Sequence, residues 1–160
     1  MTNNSNFFAP CCKIGNILSY DYYPVRTLPL EKQTIDYYDL KYAGSLGVPH
    51  WFTPQAMQWI RNRDKGARSP QIQELRGTCY ASLIFNCKGF MFFSYPSMLK
   101  LMKIDAAEGQ LLWTDVQTIA KELNGLSDWI LSSAGREIAT KINLRSIKKR
   151  SCIFVYTALQ

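Results

Sequence analysis

An α/β fold of the βα-barrel kind, ending in a short antiparallel hairpin, is what this 160-residue chain predicts. Three observations carry that expectation. Segments with one apolar helical stripe pass within a few residues into short apolar runs, and strand-to-helix units of this sort occur three times before the pattern changes. The run Phe90, Met91, Phe92, Phe93 contains no polar residue, as expected of a parallel strand covered on both faces. In a sheet of that class, ligands are expected at the carboxyl ends of the strands.

The first unit has a strand over 16–22 (NILSYDY), a proline-containing exit, and a helix over 30–46 with Ile35, Tyr38 and Tyr42 near helical spacing. The second has a strand over 48–53 and a long polar loop over 55–68. In the third, Ser69 is read as N-cap and Pro70 as first-turn residue of a helix. Its stripe runs through Ile72, Leu75, Cys79, Leu83 and Cys87. Gly89 then separates it from the strand over 90–93, and a loop leads to a helix over 111–132. Leu112, Val116, Ile119, Leu123, Leu126 and Ile130 trace that helix's apolar stripe. Beyond Gly135 the alternating runs 141–147 and 152–158, split by the basic Lys148, Lys149 and Arg150, read as the hairpin. Residues 1–135 are accordingly assigned to the α/β unit, and 136–160 to the start of a β-rich appendage.

With 47% hydrophobic and 19% charged residues the chain is globular in composition, large enough for one substantial core. Its start, MTNNSNFF, has neither the basic n-region nor the apolar h-region of a signal peptide, and no run approaches a bilayer span. Localisation therefore stays open, and a longer relative could be secreted or periplasmic. The five cysteines, Cys11, Cys12, Cys79, Cys87 and Cys152, lack CxxC spacing and share the chain with a single histidine, so buried free thiols are expected rather than a metal site. The net charge of +7 is concentrated at Arg61, Arg63, Lys65 and Arg68 and at Lys141, Arg145 and 148–150. Neither cluster lies in a nucleic-acid motif, so solvated loops and turns are the expected setting rather than a nucleic-acid surface.

In order along the chain, SYDYYPV, VPHWFTPQAMQW, SPQIQELRGTCYASLIFNCKGFMFFSY and WTDVQTIAKEL resemble the last third of TIM-barrel glycoside hydrolases and their relatives. The matching residues are Asp21, Tyr23 and Pro24; Pro49, Trp51 and Gln55; Pro70, Glu74, Leu75 and Arg76; and Lys88, Gly89, Ser94 and Tyr95. The resemblance covers about residues 14–132 and implies a partial (β/α)8 TIM barrel, its strands the sixth to eighth. Three such units do not close a barrel, so the expectation is a fragment or a chain completed by a partner. Retaining glycosidases use two carboxylates about 5–5.5 Å apart. The resemblance puts the nucleophile at the end of strand seven, where this chain has Gln55, and the acid/base on a strand the chain lacks.

The implied function is therefore the C-terminal part of a glycoside hydrolase acting on O-glycosidic bonds, catalytically incomplete. The alternative is a non-catalytic carbohydrate-binding or scaffold protein. Substrate-binding candidates are Asp21, Tyr23, Gln55, Trp59, Ser94 and Tyr95, with no catalytic residue, no metal ligand and no cofactor assigned. Asp21 can accept from a sugar hydroxyl or cap the loop near Arg26. Gln55 can meet a hydroxyl through both amide groups, and the aromatic rings can stack on a sugar or serve the core. His50, Glu74 and Arg76 are read as structural. The partners implied are a carbohydrate and either the missing barrel half or a second copy of the chain.

Overall fold

The fold is that of a computed structural model, which describes residues 8–25 and 37–132. Among them are three strands, β1 (Leu18–Tyr22), β2 (His50–Pro54) and β3 (Gly89–Phe90), and six α-helices. The helices are α1 (Phe8–Cys11), α2 (Tyr37–Ser45), α3 (Ile72–Ile84), α4 (Tyr95–Ile104), α5 (Ala106–Asn124) and α6 (Ser127–Leu131), with a 3₁₀ segment at Ile60–Lys65. The strands form one parallel sheet in the order β1-β2-β3, with Leu18 opposite His50, Tyr20 opposite Phe52, and Phe52 opposite Phe90.

Sequential parallel order has a consequence for burial. Connections of one hand place both crossover helices on the same side of the sheet. Leu18, Tyr20 and Phe52 point to that side and join Phe8 and Ala43 in one core, while Phe90 and Phe92 pack against a larger one built from α3, α4, α5 and α6. The alternate residues face the other way: Ser19 is exposed, Trp51 keeps 39% of its surface accessible, and Met91 is more exposed still. Thr53 is the exception on this open side, buried with its hydroxyl 3.3 Å from that of Ser19. The indole of Trp51 lies over the backbone of β3 where Gly89 makes room; a Cβ there would sit 2.8 Å from Nε1.

These findings correct the predicted fold class. The structure has no segment of three βα-barrel units, and among the described residues every strand pairing is parallel. The hairpin expected over 141–158, and the appendage it was to begin, lie outside the described residues. Two local causes separate the fold from the expected one. Pro54, opposite Phe92 by continuation of the register, has no N–H to give β3. The ladder thus thins to the Met91 and Phe93 amides, which donate to Phe52 O and Pro54 O, and a bridge between Gln55 and Phe93. The chain then enters α4 directly rather than a loop, because Ser94 is extended at the N-cap and Pro96 fits the first turn. The expected last helix is likewise divided: α5 starts at Asp105, whose carboxylate accepts from the Glu108 amide, and stops at Gly125.

Helix α3 starts later than predicted. Its cap is Gln71 rather than Ser69, and Glu74 closes a capping box by accepting from the Gln71 amide at 2.8 Å. Glu74 also receives both guanidinium nitrogens of Arg68 at 2.6 Å, which makes a buried carboxylate tolerable. Arg76 ties α3 to α5 through Glu122 at 2.6 and 2.9 Å. Gly109 lets α4 and α5 approach closely, since a Cβ would fall 2.7 Å from the Met102 amide nitrogen. The α5 stripe of Leu112, Val116, Ile119 and Leu123 is buried as its spacing required.

The thiols divide. Cys79 and Cys87 are buried and free, their pKa values raised by desolvation first of all, whereas Cys11 is exposed and Cys12 half-buried, contrary to the expectation for them. No helix among the described residues is long and apolar enough to cross a membrane.

Candidate functional site

The open side of the sheet and its carboxyl edge hold the chemistry that the topology leaves accessible. Asp21 and Tyr23 lie two residues apart at the end of β1, so the pleat directs both to that side. The Tyr23 hydroxyl donates to the Asp21 carboxylate. Partial burial of the ring, then the Asp21 charge and hydrogen bond, push the Tyr23 pKa well above its ordinary value, so the phenol keeps its proton. Across the sheet, Phe93 stacks on Tyr23 with centroids 5.2 Å apart and planes 20° from parallel. Phe93 keeps 44% of its surface exposed. The result is a two-ring aromatic stack beside the Asp21 carboxyl group.

The other predicted site residues fall in different places. Gln55 is 3% exposed and engaged through both amide groups: its carbonyl oxygen accepts from the Val25 amide at 2.8 Å, and its nitrogen donates to Val25 O at 2.7 Å and Met57 O at 3.0 Å. It therefore shapes the edge. Trp59 is half-buried at the entrance to the 3₁₀ segment. Ser94 caps α4, its hydroxyl 2.7 Å from that of Ser97, and Tyr95 opens the helix with its ring against Trp113 at 5.3 Å.

Two residues of the edge are not among the candidates that the sequence offers. Phe93 reads as part of a strand covered on both faces, and Trp113 falls outside the apolar stripe of its helix. The signal available for Phe93 was its alternation with Phe92, which on a one-sided sheet sends successive rings to opposite faces.

Two of the four cations of the basic loop are held in ion pairs. Arg63 pairs with Asp105 at 2.6 Å and Glu108 at 3.5 Å, and Arg68 is held by Glu74. A groove of about 490 Å³ runs between the start of α3 and α5, past Arg68, Gln71, Glu108 and Leu111. Its acidic wall is already in use, since Glu108 accepts from Gln58 Nε2 and the Ser69 amide. Among the described residues no three His, Cys, Asp or Glu side chains come together as a metal site.

His50 lies at the opposite end of β2, buried beside α2, with Nε2 making no hydrogen bond among the described residues. Desolvation, and then the charge of Lys88, lower its pKa to about 4, so it is a neutral core residue. Lys88 itself anchors the end of α6 through Ile130 O and Ser132 O.

No family model matches the chain, and no curated protein or solved structure is similar to it.

Proposed function

We propose that the chain binds carbohydrate, without hydrolysing it, at the platform formed by Tyr23 and Phe93 beside Asp21. The observation that carries this reading is the partly exposed stack of the two rings next to the Asp21 carboxyl group. A pyranose has an apolar face of C–H groups and a rim of hydroxyls. An aromatic face covers the former, and a carboxylate, which only accepts hydrogen bonds, takes the latter. The resemblance of the strand-end motifs to glycoside hydrolases supports the same ligand class.

Among the described residues, the acids favour binding over cleavage. Glycoside hydrolysis calls for two carboxyl groups flanking one bond, about 5 to 9.5 Å apart. Near these strand ends, Glu74 is buried and chelated by Arg68, and cannot share a substrate with Asp21. The test is a glycan array followed by titration calorimetry. Phe93→Ala and Asp21→Asn are each expected to weaken the best glycan about tenfold, with aryl glycosides left intact by the parent chain. Glycan affinity unchanged by both substitutions, or turnover of an aryl glycoside, would overturn the proposal.

A further inference from the structure

Phe93 and Tyr95 are separated by one residue, so their Cα atoms stand no more than about 7 Å apart. Their rings nevertheless belong to two stacks: Phe93 lies on Tyr23 of β1, and Tyr95 lies against Trp113 of α5 at 56°. Tyr95 is 51% exposed, slightly more than Phe93. In the chain Ser94 stands between the two aromatic residues, its hydroxyl 2.7 Å from that of Ser97. Two hydroxyls carry two donors and four acceptor positions, and their mutual bond uses one of each. In chain order the segment therefore offers an aromatic pair, a hydroxyl pair with capacity to spare, and a second aromatic pair.

That order is the pattern of a linear oligosaccharide, in which each ring offers a C–H face and the hydroxyls lie between and around successive rings. We infer that the edge holds two adjacent sugar rings, one on Tyr23–Phe93 and the next on Tyr95–Trp113, so that the ligand is a linear oligosaccharide rather than a single sugar. This rests on the reading of Tyr23, Phe93 and Asp21 as a saccharide site. Once the first ring is seated, the second meets its platform intramolecularly, and affinity rises with chain length without any new type of contact. The two platforms come from different parts of the chain, β1 with the end of the sheet and α4 with α5. Length dependence is thus separable by mutation from the ability to hold a sugar at all.

The experiment is titration of the full chain, by calorimetry and by NMR for weak ligands, with glucose, cellobiose and cellotetraose, and with the matching mannose and xylose series. In at least one series the tetrasaccharide is expected to bind at least tenfold tighter than the monosaccharide. Tyr95→Ala is expected to bring that ratio close to one, Tyr95→Phe to preserve it, and Phe93→Ala to weaken every length. Tyr95→Gln carries the same expectation as Tyr95→Ala should the latter fail to fold, as judged by circular dichroism. Equal affinity at every length overturns the two-platform inference and leaves the saccharide site standing. Absence of binding in all three series overturns the saccharide reading, and the inference with it.

Discussion

The two faces of the sheet are built from the same three strands and differ in what covers them. On one face Tyr20, Phe52 and Phe90 meet helices. On the other, Ser19, Trp51 and Met91 meet solvent. Neighbouring residues of a single strand thus answer to different demands: Phe52 holds the domain together, while Trp51, one position earlier, is largely free of that duty. Among the described residues the helices lie on one side of the parallel sheet, and the aromatic residues of the other side keep more of their surface accessible.

The largest expected effect tests that division directly. Phe52→Ala should cost about 3–5 kcal/mol in urea unfolding, whereas Trp51→Ala, a larger truncation, should cost about 1 kcal/mol. Equal losses would mean that the open face is buried in the working protein. Next, Glu74→Ala leaves Arg68 without its buried partner and removes half the capping box, for about 3 kcal/mol. That loss would place the α3 start among the structural parts of the molecule, apart from the sheet's carboxyl edge.

A similar magnitude is expected from pH on the covered side. The folded His50 ring takes a proton only near pH 4, whereas an unfolded histidine takes one near 6.5. Between those values the unfolded state binds more protons, so stability is full above about pH 6.5 and declines by about 3 kcal/mol as pH falls towards 4. His50→Leu should flatten this slope in a series of urea melts; an unchanged slope would assign it to other groups. Smallest is Arg76→Ala. Its pair with Glu122 is partly solvated, and the change should stay below about 1 kcal/mol and shrink further in salt.

Much of this could be read from the residues, and the parts that could not have physical reasons. The three strands, the α5 stripe and the placing of Asp21 and Tyr23 at a strand end follow from periodicity, which burial enforces. The helix starts show where local signals are ambiguous. Ser69-Pro70 and Ser94-Tyr95-Pro96 carry the same start chemistry, yet the helix begins later than the first and directly at the second, because Glu74 and Gln71 form the stronger cap. The run over 90–93 misled for another reason. An all-apolar strand looks the same whether both faces are covered or one face displays its rings, and only the arrangement of the connections distinguishes the cases. The bonds of Gln55 to the Val25 backbone are not legible in the sequence, since the two residues are 30 positions apart.

That pair of bonds from Gln55 to Val25 makes one side chain act as a surrogate peptide group, donating and accepting toward the same residue as a neighbouring strand would. An amide does both at any pH; a carboxyl group does so only while it holds its proton. Gln55→Glu would therefore turn a permanent clasp into one that opens on ionisation, releasing the turn that follows Tyr23 as the pH rises. The position is in this sense chemically closed to an acid, because the shape of the sheet's carboxyl edge depends on a side chain that cannot lose a proton.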